Sequence, residues 1–205
     1  MSEAALWLMG AYLVLAFGLR VGVQLRRTGA SGVVAPAAMP FPELLAGGVF
    51  LAAIALGALN PLLAQLDAIA PSSSLDRGWI QALGLVLCGA GIAGTFASQM
   101  AMGASWRIGV DPDERTELVT SGLFSLSRNP IYVFMFCAWA GFALLVPTWL
   151  AAVSLALLSL GLELQVRLVE EPHLLRAHGE AYRRYAQRVG RFLPGIGRRP
   201  GVGPG

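Results

Sequence analysis

The chain has 205 residues, a mean hydropathy of +0.63, 56% hydrophobic side chains and only 13% charged ones. A soluble domain carries about twice that charged fraction, so an ordinary soluble fold is excluded and the bilayer is the main solvent. The net charge is +3, and all fifteen basic residues are arginine, a usage that suggests a GC-rich, bacterial genome.

The start, MSEAALWLMGAYLVLAFG, is apolar but has neither a basic leader nor a clear cleavage site. It reads as a retained first span over about 4–19 and not as a signal peptide. Further apolar runs cover about 41–66 and 79–102. Gly84, Gly89, Gly91 and Gly94 in the third run predict close helix packing. Ser98 and Gln99 at its end either face a pocket or bond a neighbouring helix. Cys88 and Cys137 lie in apolar stretches, where a thiol acts as a small hydrophobe, and no disulfide framework or zinc site is expected.

The apolar run 131–162 is broken by Val146-Pro147-Thr148. About 20 residues cross the hydrocarbon core at 1.5 Å each, so this run is too long for one span and short for two. A hairpin of spans 131–146 and 148–168, turning near Pro147 at the far interface, fits it. The fold class is therefore all-α, polytopic, with five transmembrane helices and a C-terminal helix, as a single membrane domain over 1–205. Arginine placement orients it. Arg20, Arg26, Arg27, Arg107, Arg115 and Arg128 fall in the first and third loops. Arg167, Arg176, Arg183, Arg184, Arg188, Arg191, Arg198 and Arg199 fall at or beyond the fifth span, leaving Arg77 alone on the other side. The positive-inside rule puts the N-terminus outside and the C-terminus in the cytoplasm, with a bacterial inner membrane as the expected location. No internal repeat supports a transporter of repeated halves. The glycine- and proline-rich stretches RRTGASGVVAPAAMP and PGIGRRPGVGPG read as a flexible loop and a frayed tail.

Two cytoplasmic segments exceed what a connection needs. The long loop after the third span ends in Ser127-Arg128-Asn129-Pro130-Ile131-Tyr132. Pro130 in a first helical turn, with Asn129 as a possible cap, is ordinary helix-start chemistry, and Arg128 can simply snorkel to lipid phosphate. The second segment holds Glu170-Glu171-Pro172-His173. Pro172 is expected to break or kink the span exit and start a new helix. On that helix Leu174, Leu175, His178, Tyr182, Tyr185 and Val189 follow helical spacing, as on an amphipathic helix lying on anionic lipid. Adjacent carboxylates need partners there, and Arg167 precedes them at i, i+3 and i, i+4. Glu163, near the inner end of the fifth span, is either functional or interfacial. His173 and His178 are badly spaced for a metal, so no metal site is expected.

Together, TSGLFSLSRNPIY and EEPHLLRAHGEAYRRYAQRVGRFLP, preceded by SWRIGV, resemble the isoprenylcysteine carboxyl methyltransferase family and its phospholipid N-methyltransferase relatives, over about 103–194. The resemblance implies an S-adenosylmethionine-dependent methyltransferase. The cofactor, released as S-adenosylhomocysteine, would sit between the last two spans and the C-terminal segment. A lipophilic small molecule or lipid would arrive from the bilayer as acceptor, through a carboxylate, amine or thiol. Membrane lipids are the other expected partners, with no nucleic acid. The family's pocket positions carry over to Arg128, Asn129, Pro130, Tyr132, Glu170 and Glu171, with Asn129 standing where many members carry histidine. Arg128 or His173 can meet the cofactor carboxylate, Arg in a bidentate pair. Glu170 or Glu171 can accept from ribose hydroxyls or the ammonium, and Tyr132, Tyr182 and Tyr185 offer faces to adenine. Glu170 and Arg167 are the candidate catalytic residues, Arg167 as clamp for an anionic acceptor or as counter-ion of the glutamates. Methyl transfer needs alignment and exclusion of water, so no triad is required. The competing readings are an NADPH-dependent enzyme of the sterol-reductase type and a non-catalytic membrane protein of the same fold.

Overall fold

The computed structural model describes residues 1–33, 40–109 and 116–199. Arg115, 34–39 of the glycine-rich loop and 200–205 of the tail lie outside them. All named elements are helical. Helix α1 (Ser2–Leu13) passes through a π-helical segment, Val14–Leu19, into α2 (Arg20–Thr28). Gly29 ends it with φ 76°, a left-handed cap that glycine adopts without a Cβ penalty. Helices α3 (Phe41–Gln65), α4 (Gly78–Ala101) and α5 (Pro130–Leu145) follow. Helix α6 (Trp149–Leu164) continues through a second π segment, Gln165–Glu170, into α7 (Glu171–His178), and α8 (Glu180–Arg188) closes the series.

Four continuous runs, Ser2–Thr28, Phe41–Gln65, Gly78–Ala101 and Trp149–His178, are long and apolar enough to cross a membrane. They present Trp7, Val14, Leu51, Val86 and Trp149 outward, as the faces of an integral membrane protein do. Helix α5 is apolar but has only 16 residues, or about 24 Å of rise.

The ends of the first and last runs depart from expectation. The first helix continues to Thr28, nine residues past the expected 4–19 span. The last passes straight through Pro172, so the predicted break there does not occur. Proline lacks an N–H and is tolerated in a helix's first turn. The π segment, whose bonds run i→i+5, has already reset the ladder at 165–170, which leaves Pro172 in the first turn of α7. The break falls instead at Gly179, whose φ 52°, ψ −120° suits glycine.

The hairpin forms at Val146-Pro147-Thr148, as its composition predicts. The Thr148 hydroxyl accepts from Ala151 N–H at 3.1 Å and donates to Asn60 of α3, whose amide donates to Val146 C=O at 3.0 Å. Ser72 N–H donates to Pro147 C=O at 2.8 Å. Protein groups thus meet the polar backbone of the turn, as an apolar surrounding requires.

Helix α4 packs along α5, and α3 along α6. The α4–α5 contact is close because three of the four expected glycines face it. A Cβ at Gly91 would fall 2.4 Å from Ala138 N, one at Gly94 2.2 Å from the Phe134 ring and one at Gly84 2.9 Å from Gly141 C=O; Gly89 instead faces open space. Behind this seam the rings of Tyr12, Trp139 and Phe142 meet edge to face, at 5.4 Å for Tyr12–Trp139. Trp139 Nε1–H donates to Ser154 Oγ at 3.0 Å, and Ser154 donates to Ala53 C=O at 2.7 Å, tying α5 and α6 to α3. Overpacking costs about 1–3 kcal/mol, so Gly91→Val should lower the melting temperature clearly. Gly89→Val should stay within about 0.5 kcal/mol of the parent; thermal unfolding in detergent compares the two.

Candidate active site

At the end of the bundle that gathers Arg20, Arg107, Arg128 and Arg191, a cavity of about 320 Å³ opens between the helices. Its walls bring together the two segments singled out in the sequence. Arg128, Asn129, Pro130, Tyr132, Glu170, Glu171, His173, Tyr182 and Tyr185 all line it. The first segment is pinned to the chain's far end. Arg128 N–H donates to Gly190 C=O at 2.9 Å, and Ser127 pairs with Gly190 in an isolated bridge. Only glycine fits at 190, because a Cβ there would lie 2.0 Å from Leu193 C=O. Pro130 starts α5, as expected. Asn129 occupies the cap position without capping: its side-chain amide donates to Arg191 C=O at 2.9 Å. The amide N–H joins the two segments, whereas a cap would have used the amide oxygen as acceptor.

Glu170 and Glu171 are adjacent but diverge, since neighbouring residues on a helix point about 100° apart. Glu171 is buried and holds three guanidinium groups. Arg128 stands at 3.0 Å, Arg191 binds both oxygens at 2.7 and 3.0 Å, and Arg199 lies at 3.4 Å. Arg128 also donates to the Tyr182 hydroxyl at 3.1 Å and to Gly197 C=O at 2.8 Å. Tyr185 donates to Phe124 C=O at 2.6 Å. Burial pushes both phenols of α8 above their ordinary pKa, so they stay neutral. The Glu171 hydrogen bonds hold the Arg191 guanidinium above its usual value too. Glu170 turns the other way and accepts from the Tyr132 hydroxyl, with Gln165 Nε2 at 3.5 Å.

Arg167 goes elsewhere. Expected as acceptor clamp or as counter-ion of the glutamates, it ion-pairs with Glu163 instead, with both side chains about half exposed. Glu163 lies four residues back on the exposed face, while Tyr132 holds Glu170, and Arg128, Arg191 and Arg199 hold Glu171. Exposed pairs contribute about 0.2–1 kcal/mol, so Arg167→Ala should leave both melting temperature and ligand affinity nearly unchanged. Gln99 combines its two alternatives, lining the cavity while donating to Ala16 C=O at 3.0 Å.

A model of the phospholipid methyltransferase family matches residues 79–181, half of the chain. The chain belongs to that family. It is therefore a membrane-embedded methyltransferase, and the phospholipid methyltransferase match spans Arg128, Tyr132, Glu170 and Glu171. No curated protein matches the chain by sequence. Among solved structures it is similar to the eukaryotic intramembrane Ras methyltransferase ICMT (isoprenylcysteine carboxyl methyltransferase). The two share 21% identity and a TM-score of 0.59 over 96% of this chain and 69% of that one, a likeness of fold. The cavity also draws on residues beyond the phospholipid methyltransferase match. Arg191 and Arg199, the partners of Glu171, lie after it, and buried Glu43, in the first turn of α3, lies before it. Sequence reasoning missed all three; an isolated acid opening an apolar span was the available signal for Glu43.

Proposed function

We propose that the chain transfers a methyl group from S-adenosylmethionine to a lipophilic acceptor in this cavity, leaving S-adenosylhomocysteine. The observation that carries this reading is one cavity that both polar and apolar side chains line. Tyr132, Glu170, His173, Glu171 and Arg128 are its polar lining, and Phe17, Ala46, Phe50, Met135 and Leu162 are among its apolar lining. Small-molecule pockets run from about 300 Å³ upward, so the volume suits the cofactor. Its polar atoms have counterparts in the chain. Arg128 Nε and Gln99 Oε1 are buried without a hydrogen-bond partner among the described residues. When bound, the cofactor supplies an electrophilic methyl on a sulfonium.

The residues then divide the work. Glu170, oriented by the Tyr132 hydroxyl, accepts from the ribose hydroxyls or the ammonium. His173 meets the carboxylate. Tyr182 and Tyr185, their hydroxyls committed to the protein, offer ring faces to the adenine. Glu171 keeps Arg128 in place, and Asn129 and Pro130 fix where α5 starts. The apolar lining holds the acceptor's hydrocarbon part and excludes water, which leaves alignment as the main source of rate. A carboxylate or thiolate acceptor needs no base, and an amine needs only to be neutral. Arg167, on the exposed face, is left to the lipid interface.

The same reading takes α5 as a short fourth span of five, with the cavity in the cytoplasmic leaflet of a bacterial inner membrane and the N-terminus outside. The arginines at the cavity end, against Arg77 at the opposite end of α4, support that orientation. Calorimetry of detergent-purified protein with S-adenosylmethionine, S-adenosylhomocysteine and NADPH tests the cofactor. Heat is expected with both sulfur compounds. Silence from both overturns the proposal, and heat from NADPH alone points to a reductase. Labelled methyl transfer to phospholipids, isoprenoid acids and amphipathic thiols then finds the acceptor class.

A further inference from the structure

We infer that Arg20, on the N-terminal helix and outside the family-matched half, is a positioning residue that holds the 103–109 segment against the methyl-transfer cavity. The inference rests on the function proposed above. Arg20 is fully buried, yet no carboxylate pairs with it among the described residues. Its Nη2 donates to Gly103 C=O at 2.6 Å, and its guanidinium stacks 4.5 Å from the centroid of the Trp106 ring. Nε and Nη1 find no acceptor among the described residues. Gln24, one turn later, donates to Ala104 C=O at 2.9 Å. Past the end of α2, Gly32 C=O accepts from Ile108 N–H at 2.7 Å. Three points of one short segment are thus held by the first helix and the turn after it. That segment supplies Ser105, Trp106, Arg107, Ile108 and Gly109 to the cavity wall.

A staple alone would not require the charge. Burying a guanidinium without an anion is costly, and Gln24 makes the same kind of carbonyl bond while neutral. Two partners here respond to charge. A carbonyl oxygen is a better partner for a cation than for a neutral donor, and the face of an indole attracts a cation. Arg20 meets both at once, at Gly103 C=O just past the end of α4 and at the Trp106 ring, so it fixes the turn after α4 and how Trp106 stands. The π segment Val14–Leu19 immediately precedes it; such segments concentrate at functional sites. Here Phe17, within the segment, lines the cavity, while Arg20, just after it, reaches Gly103 in the turn that follows α4.

The test is S-adenosylhomocysteine affinity by calorimetry in wild type, Arg20→Met, Arg20→Lys and Gln24→Ala. It is read beside melting temperature and acrylamide quenching of Trp106, taken as the difference from Trp106→Phe. Arg20→Met should bind at least tenfold more weakly and expose Trp106, at a melting temperature within a few degrees of wild type. Arg20→Lys, which keeps the cation, should recover much of the affinity. Wild-type affinity and quenching in folded Arg20→Met would overturn the inference. So would Arg20→Lys behaving like Arg20→Met. If Arg20→Met does not fold, Gln24→Ala decides: a severalfold loss supports the clamp and an unchanged affinity overturns it. If wild type itself binds no S-adenosylhomocysteine, the proposed function fails. The quenching of Trp106 in ligand-free protein then still judges the clamp by itself.

Discussion

Glu171→Ala is expected to be the most destabilising single change in the cavity wall, at about 3–5 kcal/mol, the range for removing one partner of a buried ion pair. The carboxylate is 3% exposed and is shared by Arg128, Arg191 and Arg199. Without it buried Arg128, 6% exposed, is left among the described residues with the neutral partners Tyr182 and Gly197 C=O. The cost should reach beyond the side chain, because Arg191 belongs to the segment that receives Arg128 N–H and the Asn129 amide. Hydrogen exchange across 186–199 should rise together with the fall in melting temperature. Arg199→Ala is the control. Its side chain is 38% exposed and makes one long contact, so it should cost under about 1 kcal/mol. A Glu171→Ala protein that melts like wild type would show that the three arginines do not depend on this carboxylate.

The neighbouring residue should behave in the opposite way. Glu170→Gln and Tyr132→Phe are expected to reduce cofactor affinity by roughly 10- to 100-fold, since a hydrogen bond involving a charged group contributes about 1.5–3 kcal/mol. Stability should barely move, because Glu170 is held by a phenol and a distant amide and supports no buried cation. Calorimetry with S-adenosylhomocysteine, alongside melting curves, checks both changes. Equal affinity in wild type and Glu170→Gln would move the ribose or ammonium contact to another residue. On these expectations, the two adjacent glutamates divide into one that sustains the fold and one that serves the proposed ligand.

The helical architecture was legible because each run repeats one kind of information many times. Long apolar stretches between arginine-bearing loops specify helices in lipid, and Val146-Pro147-Thr148 marks a turn on composition alone. The converging motif residues were legible for a related reason: a hairpin returns its two ends to the same place, so Tyr132 and Glu170 must approach each other. What could not be read depends on angle or on distant pairing. Arg167 was assigned to the glutamates on helical spacing, but Glu163 satisfies the same spacing on the exposed side, and distant arginines take Glu171. Pro172 looked like a break because the π turn that leaves it in a first helical turn makes no mark in residue type. Arg191 and Arg199 reach Glu171 across 20 and 28 positions, through a segment whose path no periodicity encodes. Arg20 read as one more interfacial arginine because its partners, Gly103 and Trp106, lie far along the chain.

The π segment Gln165–Glu170 sets where the chain can change in length. It absorbs one extra residue between the part of the helix matched to lipid and core and the part that lines the cavity. Removing one residue between 165 and 169 is expected to return the turn to α geometry and to leave Glu171 in nearly its present direction. Removing one residue from α6 itself would instead turn everything after it by about 100°, carrying both glutamates off the cavity. A change of length by one residue is therefore tolerated best at the π turn.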